Sequence, residues 1–116
     1  MLMPQEIEVW EVLPALRRQL AIELVSQGHS QREAASRLGI TEAAVSQYLS
    51  SKRGKALVLS AQTKATVGKS AAAIAAGQSV ISELHRLCNL VEVRKSICAI
   101  HQKQSGIPRS CTLCDR

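Results

Sequence analysis

The chain has 116 residues, of which 46% are hydrophobic but only 2% aromatic, with one Trp, one Tyr and no Phe. This length fits one compact domain or a small binding domain with an extension, and no apolar run is long enough for a membrane span. The net charge of +6 at pH 7 favours an anionic partner, most commonly nucleic acid. The acidic first ten residues lack the apolar core of a secretion signal, so we expect a cytoplasmic protein.

Helices are expected throughout, because Ala and Leu are frequent and few segments alternate as strands do. Pro4 and Pro14 suit first helical turns and predict a short helix over about 5–12, a break at 13–14 and a longer helix to about 27. Then come helices capped by Ser30, Thr41 and Ser79, an Ala- and Ser-rich stretch over 60–76 ending at Gly77, a helix over about 92–103 and a loop from 104. The expected fold is therefore all-α, with five to six helices.

The segment 30–50, SQREAASRLGITEAAVSQYLS, predicts a helix-turn-helix. Ala34 and Ala35 are small enough for two helices to cross closely, and Gly39 suits a turn that needs a positive φ. The apolar anchors of both helices are Leu38, Ile40, Val45 and Leu49. Between them the exposed face of the second helix is formed by Thr41, Glu42, Ala43, Ser46 and Gln47, which we expect to face the major groove of double-stranded DNA.

The same segment resembles the helix-turn-helix of the lambda-repressor/Cro-like (XRE-type) superfamily. More narrowly, residues 3–54 resemble a group of small archaeal and bacterial regulators, whose DNA-binding head is also similar to that of archaeal thiamine-responsive regulators. The resemblance implies that Gln31 meets DNA at the start of the first helix and that Glu42, Ala43, Ser46 and Gln47 face base edges. It also implies phosphate contacts for Lys52, Arg53 and Lys55.

The second half of the chain contains all four cysteines, in the pattern Cys88-x9-Cys98-x12-Cys111-x2-Cys114. Disulfides are uncommon in the cytoplasm, so a metal or redox role is favoured. An iron–sulfur cluster, either 2Fe–2S or 4Fe–4S, would use all four thiolates. A structural zinc ion could instead use the cysteines, or His101 in place of one of them, which would leave Cys88 free. A third possibility is ordinary or redox-switched thiols. His85 has no assigned role.

These features predict two parts, a helix-turn-helix domain at 1–55 and a helical segment for dimerisation and metal binding at 56–116. The apolar positions Val80, Leu84, Leu87 and Val91 have 4-3-4 spacing, which is typical of a seam against a partner helix. We therefore expect a homodimeric transcriptional regulator, not an enzyme, that binds a palindromic operator and senses redox or iron state through an iron–sulfur cluster. The alternatives are a zinc-stapled repressor without sensing and a thiol oxidoreductase using Cys111 and Cys114.

Overall fold

The computed structural model describes residues 3–50 and 59–102, and the regular structure within these two ranges is helical. The helices are α1 (Pro4–Ile7), a π-helical segment (Glu8–Val12), α2 (Leu13–Ser26), α3 (Gln31–Leu38), α4 (Glu42–Leu49), α5 (Ala61–Ala75), α6 (Val80–Cys88) and α7 (Val91–Gln102). The first three follow one another without a gap and form one continuous helix, so the described residues form six helices. The all-α prediction, with a helix-turn-helix near the N-terminus, is confirmed.

The predicted break at residues 13–14 is wrong, because the helix continues through Pro14. In the π-helical segment the backbone N–H of Leu13 donates to the carbonyl of Glu8, five residues earlier. Proline removes one backbone donor and its ring crowds the preceding helical turn. A wide π turn directly before the proline changes the hydrogen-bonding register, and such turns are common where a helix absorbs an irregularity. The proline therefore widens the helix without ending it.

Side-chain caps and a glycine turn position the two helices of the helix-turn-helix. Ser30 and Glu33 form a capping box, in which the Ser30 hydroxyl accepts from the Glu33 N–H at 3.1 Å and the Glu33 carboxylate accepts from the Ser30 N–H at 3.3 Å. α3 ends at Leu38 and is followed by its C-cap Gly39, whose φ of +69° is in the left-handed region. The Ile40 N–H then donates to the Ala35 carbonyl at 3.1 Å, which closes a Schellman turn. The predicted caps and turn are confirmed.

The helices after residue 59 pack on the same core as the helix-turn-helix. α5 lies along α2, and α7 packs against α1 and the π-helical segment. Ser60 and Ser79 cap α5 and α6, as their hydroxyls accept backbone N–H groups three residues later. Within the described ranges, eighteen buried residues from Ile7 to Ile97 form one hydrophobic cluster whose only aromatic member is Tyr48. As predicted, aliphatic side chains supply most of this core.

The predicted seam over residues 80–91 is not a continuous helix face. α6 ends at Cys88, with Asn89 as its C-cap, and α7 begins at Val91. Leu87 is fully buried in the chain's own core, whereas Val91 is 58% exposed. The 4-3-4 spacing therefore joins residues of two helices with different environments. The seam prediction was wrong because the sequence pattern did not reveal the turn between α6 and α7.

Candidate nucleic-acid interface

The second helix of the helix-turn-helix has one buried face and one exposed face. Val45 and Tyr48 are buried, with exposed fractions of 0% and 2%. The residues predicted to face DNA are all exposed, namely Thr41, Glu42, Ala43, Ser46 and Gln47. Because Glu42, Ala43, Ser46 and Gln47 recur at intervals of three and four residues, they share one side of α4. The helix thus exposes a continuous strip of mostly polar residues, and a major groove is wide enough to admit an α-helix.

Small buried residues bring α3 and α4 close together. Ala34 is completely buried and Ala35 is 5% exposed, and both lie on the side of α3 that enters the core with Leu38. α4 packs against α3 and also against α2. A larger side chain at Ala34 or Ala35 would have to displace neighbours in a closely packed interior. The angle at which α4 is presented to the solvent therefore depends on these two alanines.

Two predicted contact residues lie at helix starts, where backbone N–H groups are available to an anion. Gln31 is the first residue of α3 and is exposed. Thr41 is the N-cap of α4, and its hydroxyl oxygen accepts from the Ala44 N–H at 3.0 Å. Thr41 therefore stabilises the start of the helix whatever it binds. The structure brings Gln31 and the α4 strip onto one helix-turn-helix, since α3 and α4 are joined by the short turn at residues 39–41.

Charge is unevenly distributed over this surface. α4 contains no lysine or arginine, and its one charged residue is Glu42. α3 carries exposed Arg32 and Arg37. In the capping box the Ser30 N–H, which donates to the Glu33 carboxylate, holds the pKa of Glu33 below its usual value, and nearby His29 acts in the same direction. The predicted phosphate-binding residues Lys52, Arg53 and Lys55 lie outside the described residues.

A link between the helix-turn-helix and α5 was not predicted. The Gln27 amide, at the C-terminal end of α2, donates to the backbone carbonyl of Gly68 in α5 at 3.1 Å. The Glu23 carboxylate also approaches Gly68, and a Cβ added there would lie 3.2 Å from its Oε2 atom. α5 additionally packs against α3. The Gln27–Gly68 hydrogen bond joins residues 41 positions apart, so no local sequence pattern could have indicated it.

The predicted metal ligands are only partly within the described chain. Cys88 is buried at the end of α6, Cys98 is half-buried in α7 and His101 is buried one turn further along. Cys111 and Cys114 lie outside the described residues. Burial raises the pKa of Cys88 to about 11, an effect that nearby Glu8 reinforces and Arg94 and Arg17 oppose. Within residues 3–50 and 59–102, no three His, Cys, Asp or Glu residues are grouped so that they could hold a metal ion.

His85, to which the sequence assigned no role, is exposed on α6. Its backbone carbonyl accepts from the Asn89 side-chain amide at 2.8 Å, which helps to close the helix end. This contact uses the main chain alone. The imidazole ring of His85 takes no part in this hydrogen bond.

The fold defines the N-terminal part of the chain as a helix-turn-helix domain in which α4 exposes one face to the solvent. In a comparison with known families, residues 13–54 match the homeodomain-like domain. The matched region contains α3 and α4, the two helices of the helix-turn-helix, together with α2, against which both of them pack, and covers less than half of the chain. Comparisons with curated proteins and with solved structures gave no match. No helix in the described part of the chain has the length and apolar character needed to cross a membrane.

Proposed function

We propose that the chain is a transcriptional regulator that binds double-stranded DNA in a sequence-specific manner through α4. The observation that carries this proposal is the exposed strip of Glu42, Ala43, Ser46 and Gln47, held on a helix whose opposite face is buried. The homeodomain-like match over residues 13–54 supports a DNA-binding role for the same helices. The finer assignments to the XRE-type superfamily, to a cytoplasmic non-enzymatic homodimer and to a palindromic operator are part of this proposal and rest on the sequence.

The side chains of the strip define which bases the protein prefers. Gln47 can bind adenine through two hydrogen bonds, and Glu42 can accept a hydrogen bond from the amino group of cytosine. Ala43 suits contact with the methyl group of thymine, while Ser46 can pair with several bases. α4 has no arginine or lysine, so it lacks the side chains that most often recognise guanine in the major groove. We therefore expect the preferred half-site to contain an adenine that depends on Gln47.

Selection from a random double-stranded library tests this proposal, followed by fluorescence anisotropy on the enriched duplex. Gln47→Ala should lower the discrimination against a changed adenine by about 5- to 150-fold, since a good bidentate pair contributes about 1–3 kcal/mol. Gln5→Ala is the matched control, because Gln5 is also an exposed helical glutamine but lies on α1. Its selectivity should equal that of the wild type.

Two results would count against the proposal. If the wild-type protein enriches no sequence and binds no duplex at low salt, α4 is not a DNA-reading helix. If Gln47→Ala and Gln5→Ala keep the same selectivity on an enriched duplex, DNA binding uses another surface. Circular dichroism of both variants would show that they retain the helical fold.

The second proposal is that a metal centre in the C-terminal segment modulates DNA binding. Its basis is the four-cysteine pattern, which suits an iron–sulfur cluster or a zinc ion. Cys88 and His101 are both buried, with exposed fractions of 6% and 8%, so the set of four cysteines and the set of Cys98, His101, Cys111 and Cys114 are both candidate ligand sets. Anaerobic purification, metal and sulfide analysis and an absorption spectrum distinguish these cases. If protein purified from cells supplied with iron and zinc contains no metal, the proposal is refuted.

A further inference from the structure

A helix-turn-helix protein needs cations outside α4 to bind DNA tightly. Most of the affinity for duplex DNA comes from lysine and arginine residues that neutralise phosphates, whereas base contacts supply the selectivity. The described residues of α4 contribute no positive charge, and Glu42 is repelled by phosphates. In α3 the exposed cations are Arg32 and Arg37. Further cations can come from Lys52, Arg53 and Lys55, to which the resemblance assigns phosphate contacts, and from elements that lie beside these two helices.

α5 is such an element. Its middle is joined to the end of α2 by the 3.1 Å hydrogen bond from the Gln27 amide to the Gly68 carbonyl. Gln27 precedes Gln31, the first residue of α3, by only four positions. α5 also packs directly against α3. The middle of α5 is therefore fixed next to the loop through which the chain enters α3, at the end of α3 that is predicted to meet a DNA strand.

On α5 the exposed residues around this contact are basic and small, whereas the α2 side of the contact carries the Glu23 carboxylate. Lys64 lies one helical turn before Gly68 and Lys69 directly follows it, and both lysines are exposed. α5 contains no Asp or Glu. In the described part of the chain, neither lysine has a carboxylate within 4.0 Å of its ammonium group. The exposed residues between the two lysines on the helix surface include Ala65 and Ala72, so no bulky side chain separates them.

We propose that α5 is a second DNA-contacting element, in which Lys64 and Lys69 bind backbone phosphates of the strand that passes the start of α3. This inference rests on the proposed function and adds to it a surface outside the helix-turn-helix. Lysine binds phosphate as a mobile point charge and reads no base. The α5 contact therefore strengthens binding to any duplex and leaves the choice of sequence to α4. It also links the helices after residue 59 directly to DNA affinity.

The salt dependence of binding provides the test. Lys64→Gln and Lys69→Gln would be compared with Lys95→Gln, a variant that removes the same charge from an exposed position on α7, which packs against α1 and the π-helical segment. The probes are a fluorescein-labelled duplex of arbitrary sequence, about three helical turns long, and the duplex enriched by the wild type. Each lost phosphate contact should reduce the slope of log K against log salt concentration by about 0.9. Lys95→Gln should keep the wild-type slope.

The affinity loss in Lys64→Gln and Lys69→Gln should be equal on the two duplexes, which leaves their affinity ratio unchanged. If both variants have the same slope as Lys95→Gln, α5 does not contact DNA and the inference is overturned, while the binding by α4 stands. If their affinity ratio falls, the lysines act on base reading and the inference is also overturned. A wild-type protein that binds neither duplex would instead refute the proposed function. Thermal unfolding of the three variants checks that each remains folded.

Discussion

Gly39 fixes the turn between α3 and α4, and its replacement by alanine should destabilise the protein through the backbone alone. The residue has φ +69° and ψ +31°, a conformation that costs an L-amino acid roughly 1–2 kcal/mol. A Cβ added at Gly39 would meet no atom within 4 Å, so no collision adds to this cost. Alanine also restricts the unfolded chain more than glycine does, which offsets about 0.4–1 kcal/mol. We expect a net loss of about 1 kcal/mol in the free energy of unfolding.

Thermal unfolding followed by circular dichroism measures this effect. A loss of about 1 kcal/mol should lower the Tm of a domain of this size by about 4 °C. Gly39→Asn is the matched comparison, because asparagine enters the left-handed region more readily than alanine. It should lose less stability than Gly39→Ala. Equal melting temperatures for Gly39→Ala and the wild type, or equal losses in the two variants, would refute the explanation by backbone conformation.

Three further predictions concern a cap and two titrating groups. Thr41→Ala removes the cap of α4 and should lower the free energy of unfolding in urea by about 1 kcal/mol, whereas Thr41→Ser should keep most of the wild-type stability. A Thr41→Ala variant as stable as the wild type would contradict the assigned cap. The pKa of Glu33 is lower in the folded protein than its ordinary value of 4.5, so its contribution to stability is present above pH 4.5 and is lost as the pH falls through the folded value. As the pH is lowered from about 6 to about 3, the free energy of unfolding in urea should therefore fall less for Glu33→Gln than for the wild type. The same pH dependence in both proteins would contradict a stabilising role of the ionised Glu33 carboxylate. The pKa of Cys88 is raised from 9.0 to about 11, so the stabilisation by its protonated thiol is complete below pH 9 and is lost as the pH rises towards 11. Cys88→Ala should flatten this alkaline decline, and iodoacetamide mapping by mass spectrometry should find Cys88 unmodified at about pH 8 until the protein is unfolded; rapid labelling of the folded protein would contradict its burial.

The elements that local chemistry determines were predictable from the sequence. Ser30, Gly39 and Thr41 act through their own and adjacent backbone groups, so residue type and spacing were enough to predict the caps and the turn. The exposed side of α4 followed from helical periodicity, because Val45 and Tyr48 occupy the opposite face. The all-α class and the helix-turn-helix therefore follow from residue types and their spacing alone.

The features that depend on tertiary packing were not predictable. Pro14 suggested a break because proline favours the first turn of a helix, yet the π-helical turn before it keeps the helix continuous. The repeat from Val80 to Val91 indicated one helix face, although the chain turns at Asn89 and buries Leu87 in its own core. Likewise, the hydrogen bond that holds α5 beside the helix-turn-helix joins Gln27 to a residue 41 positions away. Such contacts leave no periodic or local signal.

The packing of α5 along α2 joins the N-terminal and C-terminal helices of the described chain. Val67, Ala71 and Ile74 of α5 belong to the same hydrophobic cluster as Leu20 and Leu24 of α2. A displacement of α5 would therefore disturb the helix against which α4 itself packs. The C-terminal helices and the helix-turn-helix therefore share one hydrophobic core.

The most direct test of DNA reading by α4 is a map of backbone amide shifts on adding the enriched duplex to isotope-labelled protein. We predict the largest changes at residues 41–47 and at Gln31, in fast or slow exchange according to affinity. The Gln47→Ala variant should lose the changes that distinguish the enriched duplex from one of arbitrary sequence. Changes confined to α6 and α7, with α4 unaffected at saturating DNA, would contradict the central claim.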